Sequence, residues 1–138
     1  MTATIEIVAA VIRDQAGRVL LVRKRGTTAF MQPGGKRDGG EDDITALARE
    51  LDEELGCRLV PGSIEPLGEF DAISANEPGF RVRAALYEIA VTGDIAPKAE
   101  IETMIWVDPA APADIPLAPL TRDHVLPLVL HKRFAGNA

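Results

Sequence analysis

Seven carboxylates and one arginine lie within fourteen consecutive residues, Glu41 to Glu54, of this chain. The net charge of this segment, −6, equals the formal net charge of all 138 residues. The rest of the chain is balanced, with 14 basic (15 minus 1) and 14 acidic (21 minus 7) side chains. Such a density of negative charge repels itself unless a cation lies nearby. Carboxylate oxygens suit Mg²⁺ or Mn²⁺, so the segment predicts a site for a divalent metal ion.

The acidic segment also has the spacing of an amphipathic helix. Apolar residues recur at i, i+3, i+4 and i+7, and Gly56 is suited to end the helix in the left-handed conformation. At 100° per residue, Glu50, Glu53 and Glu54 fall within a sector of roughly 100° beside the apolar stripe. We therefore expect three carboxylates on one ridge of the helix. Arg49 lies one turn before Glu53 and is expected to pair with it.

The spacing of Gly35, Glu41 and the run from Arg49 to Gly56 resembles the signature of the Nudix hydrolases, GX5EX7REUXEEXGU. Every fixed position matches, and only Cys57 departs from the aliphatic residue expected at the last position. A buried thiol behaves as a small hydrophobic side chain, so this departure changes little. A glutamate-rich surface helix after a glycine loop would explain the composition but not these simultaneous placements.

The resemblance implies an α/β fold. The expected architecture is the Nudix-type α/β/α sandwich, with a mixed, largely antiparallel sheet and a loop-helix-loop metal site. It implies a single Nudix hydrolase domain over residues 1–138. The composition agrees, because a chain of this length with 46% hydrophobic residues can fill one core.

The resemblance also implies a set of metal ligands. Glu50 and Glu54 are expected to be the firmest ligands, and the carbonyl oxygen of Gly35 is expected to complete the coordination shell. Glu53 is expected to be a further ligand or the base that orients water. The expected cofactor is Mg²⁺, or Mn²⁺ in its place, because both accept carboxylate and phosphate oxygens.

Other charged residues have expected supporting or catalytic roles. By the resemblance, Arg49 and Glu41 hold the metal ligands and the loop in place, since a loose ligand shell loses catalysis quickly. The general base is left open between Glu53 on the helix and Glu100, which precedes the strand of Trp106 on a segment that could fold over the site. A solvent-exposed acidic turn is the alternative for Glu100.

A basic run, Arg23-Lys24-Arg25, ends a predicted strand that leads toward the glycine pair. In a strand Arg23 and Arg25 share one face and Lys24 lies on the other. We expect Arg23 or Arg25 to contact a substrate phosphate or base, because a guanidinium binds such groups with paired hydrogen bonds. A solvated strand end is the alternative.

The implied activity is hydrolysis of a diphosphate bond in a nucleoside tri- or diphosphate derivative. The short chain lacks a proline near Ala72 and a tyrosine near Ser74, which would mark two other subfamilies, and so looks most like the MutT-like group. The alternative is an ADP-ribose or nucleoside-diphosphate-sugar pyrophosphatase. A non-catalytic ligand-sensing Nudix module is disfavoured because every acidic position is intact. An isoprenyl diphosphate isomerase is disfavoured because Cys57 lies inside the signature.

The elements before the helix must carry the glycine pair to it. Ile5 to Ile12 and Arg18 to Arg25 are rich in β-branched and aliphatic residues and are predicted to form a hairpin about the turn Asp14 to Gly17. Met31 to Gly35 is predicted as a short extended piece, broken by a proline and two glycines.

The elements after the helix are predicted to complete the sheet and cover it. Ile64 to Ile73 and Gly79 to Val91 are expected to pair as antiparallel strands, and Met104 to Val107 is a further short strand. Thr121 is predicted to cap a final helix that Pro127 would limit or kink. The predicted order is β-β-α-β-β-β-α, which suits a sheet with helices on both faces.

Other classes of protein are disfavoured by what the sequence lacks. It has no apolar run near the ~20 residues of a membrane helix and no basic-then-hydrophobic leader, so we expect a cytoplasmic protein without membrane contact. One cysteine and two histidines give neither an internal disulfide nor zinc-site spacing. The balanced charge outside the acidic segment disfavours nucleic acid as a partner. The expected partner is a small nucleotide, and a homodimer is left open.

Overall fold

The computed structural model describes residues 3–112 and 114–136, the last five by their backbone alone. The strands are β1 (Ala3–Ile12), β2 (Val19–Lys24), β3 (Gly34–Gly35), β4 (Arg58–Leu59), β5 (Glu65–Ile73), β6 (Phe80–Ile89), β7 (Val91–Thr92) and β8 (Ile101–Val107). The helices are α1 (Asp43–Leu55) and α2 (Leu126–Gly136). In the described part of the chain, no helix is both long and apolar enough to cross a membrane.

The main sheet has four strands in the order β3-β1-β6-β5. β1 runs parallel to β6 over ten residue pairs and antiparallel to β3, while β5 and β6 pair antiparallel. β2 pairs with β8 and β4 pairs with β7, both antiparallel. The predicted mixed, largely antiparallel arrangement and the antiparallel pairing of β5 with β6 are confirmed.

Two hydrophobic cores lie on opposite sides of the strands. The core against α1 contains Val8, Ala10, Ile12, Leu20, Val22, Ala46, Leu47, Leu51 and Leu55. The core against α2 contains Ala9, Val11, Val19, Leu21, Leu86, Val125, Leu126 and Val129. Alternate residues of β1 and β2 therefore enter opposite cores, as the alternation of side chains along a strand requires. Both faces are covered by a helix, which confirms the predicted α/β/α sandwich.

The predicted hairpin between the first two strands is wrong. The turn forms as expected, because the Asp14 carboxylate accepts hydrogen bonds from the backbone N–H groups of Ala16 and Arg18. Beyond one isolated bridge, Arg13 to Val19, β1 and β2 separate into different sheets. β1 pairs instead with β6, which lies about seventy residues further along the chain. A pairing over this distance leaves no local signal in the sequence.

The C-terminal helix differs from its prediction at Thr121. A π-helical turn, Thr121–Val125, precedes α2, and no side-chain cap is formed at its start. Thr121 is instead fully buried, and its hydroxyl bonds another side chain. α2 also continues through Pro127, although a proline removes one backbone donor. The wider hydrogen bonding of the preceding turn, with the Leu126 N–H donating to the Thr121 carbonyl, accommodates it.

Candidate active site

Helix α1 is fixed at both ends by its own sequence. The Asp42 carboxylate caps the N-terminus by accepting a 2.8 Å hydrogen bond from the backbone N–H of Thr45. Gly56 ends the helix in the left-handed conformation, with φ of 69°, and donates its N–H to the Asp52 carbonyl. The predicted helix and its glycine stop are confirmed. The caps determine where α1 begins and ends. The packing of its apolar face then determines how the signature carboxylates are oriented.

The glycine pair of β3 allows two close approaches. Gly34 lies opposite Ala9 of β1 with φ of +151°, and a Cβ there would lie 2.1 Å from the Val8 carbonyl oxygen. A Cβ on Gly35 would lie 2.6 Å from Oε2 of Glu50. Since real Cβ contacts are not this short, glycine at position 35 is what lets the Glu50 carboxylate lie against the strand.

Glu54 lies one turn beyond Glu50 and is almost fully buried, with 2% of its surface exposed. Its Oε1 accepts a 3.2 Å hydrogen bond from the backbone N–H of Gly34, while its Oε2 has no hydrogen-bond partner among the residues that the structure describes. Burial, followed by the neighbouring Glu50 carboxylate, raises the pKa of Glu54 far above its ordinary value. A buried carboxylate with an orphaned oxygen is costly unless a cation balances it.

Arg49 joins the loop to the helix. Its guanidinium binds Glu41 through two hydrogen bonds, 2.8 Å and 2.9 Å, and donates to Glu50 at 2.8 Å. It also donates to the carbonyl of Lys36 at 3.0 Å. The Arg49 hydrogen bonds, with one from the backbone N–H of Asp38, lower the pKa of Glu41 to about 2. This arrangement fits the positioning role expected for Arg49 and Glu41.

Glu53 is separated from the other two carboxylates. Its side chain is 53% exposed, against 13% for Glu50, and it contacts Arg49 at 3.3 Å, as the i, i+4 spacing predicted. In the described residues, no three Asp, Glu, His or Cys side chains converge as a potential metal site. Glu53 is therefore more exposed than Glu50, and its role as a further ligand or as the base stays a prediction. The 100° turn per residue places Glu53 on the solvent side of Glu50 and Glu54 on its buried side.

The remaining donor set fits a hard divalent cation. Glu50 and Glu54 bring two carboxylates together, one with an oxygen that lacks a partner, and Gly35 packs directly against the first of them. Mg²⁺ commonly takes one or two protein carboxylates and fills its shell with water and substrate phosphate oxygens. Two carboxylates and a backbone carbonyl are thus sufficient for such an ion.

A cleft of about 380 Å³ opens beside this carboxylate pair. Gly35 and Glu50 line it at the carboxylate pair, and it extends along the face of β1 that carries Ile7 and Ile5. Ala9, opposite Gly34, and Ile5 are four residues apart, about 13 Å in a strand. The cleft therefore combines a charged end with a longer apolar wall.

The basic run presents Lys24 to the cleft rather than its arginines. Lys24 lines the cleft. Arg23 donates to the Thr27 carbonyl at 2.8 Å and its guanidinium lies 5.9 Å from the ring centroid of Phe30. Arg25 pairs with Glu102 at 3.2 Å. Neither arginine is among the residues that line the cleft, and a contact of Arg23 or Arg25 with substrate stays a prediction.

Of the two candidate bases, Glu100 is the one that lines the cleft. Its carboxylate lies 3.6 Å from the Lys24 ammonium, and its side chain is 59% exposed. Glu53 is absent from the cleft lining. The structure therefore brings Glu100 to the same opening as Glu50 and leaves Glu53 on the outer side of α1.

Three residues near the site were not predicted from the sequence. Gln32 and Thr121 line the cleft and bond each other, and Tyr87 donates from β6 to the carboxylate of Asp43 at the start of α1. Gln32 precedes Pro33 and the two glycines of β3, and this position is its only signal in the sequence. Thr121 has the residue type of a helix cap, and that signal does not indicate its place in the cleft.

Comparison with known proteins assigns the chain to a family. The profile of the NUDIX domain matches residues 4–129. The 8-oxo-dGTP diphosphatase of Haemophilus influenzae is 41% identical over 56 residues, which are 38% of this chain and 41% of that protein. The matched part is thus less than half of that relative's length.

Solved structures agree over nearly the whole chain. The MutT NUDIX hydrolase from Burkholderia pseudomallei superposes with a TM-score of 0.72 and 25% identity, covering 93% of this chain and 96% of that one. The E. coli ORF135 protein gives 0.69 and 25%, covering 96% and 91%. The family profile, which spans most of the chain, agrees with the signature on the β3–α1 segment. The chain belongs to the NUDIX domain family.

Proposed function

We propose that this protein is a MutT-like nucleotide pyrophosphohydrolase that cleaves a diphosphate bond in a nucleoside tri- or diphosphate derivative. One observation carries the proposal: the buried carboxylate of Glu54, with its orphaned oxygen, adjoins Glu50, which lines a cleft with an apolar wall. Such a cleft suits a ligand with a polyanionic end and a ring system. The names of the H. influenzae relative and of the B. pseudomallei neighbour support the same activity.

Glu50, Glu54 and the Gly35 carbonyl would hold the divalent ion, Mg²⁺ or Mn²⁺. When bound, the ion would neutralise the charge of the diphosphate and make water a stronger nucleophile at neutral pH. Arg49 keeps the Glu50 carboxylate in place through its 2.8 Å hydrogen bond, and Gly35 leaves room for that carboxylate. The position of the Glu50 carboxylate thus depends on Arg49 of the helix and on the space beside Gly35 of the strand.

Two cleft residues act on the reacting groups. Lys24 binds a non-bridging phosphate oxygen, since it lines the cleft and its ammonium lies 3.6 Å from the Glu100 carboxylate at the same opening. Glu100 accepts a proton from the attacking water, whose oxygen forms a bond to one phosphorus. The bond from that phosphorus to the bridging oxygen breaks, and the leaving phosphate departs with the electron pair.

The experiment is hydrolysis of a panel of substrates with Mg²⁺ and with Mn²⁺. The panel contains nucleoside triphosphates, 8-oxo-dGTP, ADP-ribose and nucleoside-diphosphate sugars. We expect metal-dependent turnover of a triphosphate. Turnover confined to ADP-ribose or a sugar nucleotide would support the alternative pyrophosphatase. Failure of the whole panel with both metals would support a non-catalytic ligand-sensing module.

Several expectations from the sequence remain proposals. They are a single domain over residues 1–138, a cytoplasmic location, a small-molecule partner in place of nucleic acid or membrane, and a homodimer as an open question. Sedimentation of the purified protein tests the oligomeric state, and fractionation of the source cells tests the location.

A further inference from the structure

We propose that Gln32 selects the nucleobase: the cleft takes a nucleotide whose base carries a ring carbonyl oxygen, and that oxygen accepts a hydrogen bond from Nε2 of Gln32. This inference rests on the proposed function and narrows its substrate class. The observation that supports it is that the two polar atoms of the Gln32 carboxamide differ in their hydrogen bonding. Oε1 accepts a 2.8 Å hydrogen bond from the Thr121 hydroxyl, while Nε2 is buried and has no partner in the described residues.

Gln32 is held more rigidly than an ordinary surface glutamine. The residue before it, Met31, exchanges two backbone hydrogen bonds of 2.8 Å with Val22 of β2. The carbonyl of Pro33, on its other side, accepts a 2.9 Å hydrogen bond from Ala10 of β1. Only 6% of the Gln32 surface and none of the Thr121 surface is exposed. The orientation of the carboxamide is therefore set before any ligand binds.

An unpaired buried donor is unfavourable, and such groups usually have a functional reason. Gln32 and Thr121 line the same cleft as Glu50, together with the apolar side chains of Ile7 and Leu120. A nucleotide with its phosphates at Glu50 would extend its base along this apolar wall. An acceptor on the base would then supply the partner that Nε2 lacks.

The other polar side chains at the apolar end of the cleft are less suited to this role. The Ser74 hydroxyl donates to the Glu77 carboxylate, so its donor is already used. Asn76 is exposed to solvent. Gln32 is thus the buried amide with a free donor beside the apolar wall.

The chemistry of the amide nitrogen determines which bases fit. It donates and does not accept, so a ring carbonyl completes the pair. Guanine, hypoxanthine and the pyrimidines carry such an oxygen. Adenine has an amino group in place of the carbonyl at position 6, so Nε2 would face a donor there and the hydrogen bond at this position would be lost. A site built to bond one polar group discriminates strongly against an analogue that lacks it.

The test compares dITP with dATP, which differ at position 6 of the purine, in wild type and in Gln32→Met. Methionine keeps the length and approximate volume of glutamine but removes both polar ends. The ratio of kcat/KM for dITP to that for dATP should favour dITP in wild type. It should fall about five-fold or more in the variant, as expected for loss of one buried hydrogen bond. A change in the metal site would alter both substrates alike, so the ratio isolates base recognition.

Two further variants complete the test. Gln15→Met makes the same substitution at an exposed glutamine outside the cleft and should leave the ratio unchanged. Thr121→Val removes the hydroxyl that orients the carboxamide and should lower the ratio in the same direction, which carries the test if Gln32→Met does not fold. Preference of the wild type for dATP, or turnover with an unchanged ratio in the cleft variants, overturns the inference alone. No turnover of any nucleotide overturns the proposed function and this inference with it.

Discussion

The guanidinium of Arg49 donates two hydrogen bonds to the Glu41 carboxylate, from Nε to Oε2 at 2.8 Å and from Nη2 to Oε1 at 2.9 Å. The two residues are eight positions apart, and the pair closes the loop that connects β3 to α1. Paired hydrogen bonds between guanidinium and carboxylate fix direction as well as distance. Gly35 before the loop and Glu50 after it, the proposed metal ligands, are therefore held in one arrangement.

Glu41→Gln should lower kcat/KM about 10- to 100-fold, the usual effect of losing a residue that supports a metal site. It should also change how stability depends on pH. The folded-state pKa of Glu41, about 2, lies below its ordinary value of 4.5. Ionised Glu41 therefore stabilises the fold fully above about pH 4.5, and this contribution disappears as the pH falls toward 2.

Urea unfolding in EDTA at several pH values measures this effect. The free energy of unfolding of Glu41→Gln should lie furthest below that of wild type near neutral pH, and the two curves should converge in acid. A difference that stays constant between pH 6 and pH 3 would contradict the assignment of the pKa to this ion pair.

Gly35→Ala should abolish most of the activity for a steric reason. The added methyl group would lie 2.6 Å from Oε2 of Glu50 and would displace that carboxylate. A displacement near 1 Å at a catalytic site costs on the order of 100-fold in rate. Gly39→Ala is the matched control, because a Cβ there meets nothing within 4 Å. Equal kcat/KM in the two variants would show that the space beside Gly35 is not required.

Glu100→Gln and Glu53→Gln separate the two candidate bases. If Glu100 accepts the proton of water, its amide variant should lose a factor of about 100 or more in kcat, with KM little changed. Glu53→Gln should lose much less, because Glu53 is 53% exposed and does not line the cleft. A large loss in Glu53→Gln with an unchanged rate in Glu100→Gln would return the base to the helix.

Tyr87 should titrate at an unusually high pH. Its hydroxyl donates to the Asp43 carboxylate, which also accepts a 2.6 Å hydrogen bond from Arg37. The hydrogen bond to Asp43 raises the pKa of Tyr87 to about 12, because the phenolate would face a carboxylate.

The chain contains one tyrosine, so tyrosinate absorbance reports this group directly. Its midpoint should lie near pH 12 in wild type and move toward 10 in Asp43→Asn. A wild-type midpoint near 10 would show that the contact between β6 and the start of α1 does not form in solution.

The sequence predicted the parts of the site that depend on local spacing. Helix α1 and its stop at Gly56 followed from periodicity and one glycine. The contact between Arg49 and Glu53 followed from their i, i+4 spacing. These features need only neighbours along the chain.

The parts that depend on distant neighbours were not predictable. The pairing of β1 with β6 joins segments about seventy residues apart. The local pattern of two strands about a turn predicts β2 as the partner of β1, which is wrong. The alternation of side chains along a strand predicts that Lys24 lies on the face opposite Arg23 and Arg25. No neighbouring residue in the sequence indicates which of these two faces meets the cleft. The burial of Glu54, and the exposure of Glu53 next to it, depend on how α1 packs against β3.

The proposed function requires the buried carboxylate of Glu54 to bind a divalent metal together with Glu50, and Glu54→Gln removes this ligand. Binding of Mn²⁺ by calorimetry and turnover of the best substrate are measured on the same samples. Asp52→Asn, an exposed carboxylate on the same helix, is the control. The Tm of Glu54→Gln in EDTA should not fall, because burial raises the pKa of the Glu54 carboxyl when no metal is bound, and glutamine is an uncharged side chain of the same shape. We predict that Glu54→Gln loses Mn²⁺ binding and at least about 100-fold in kcat, while Asp52→Asn keeps both. Near-normal metal binding and turnover in Glu54→Gln would show that Glu54 is not a metal ligand.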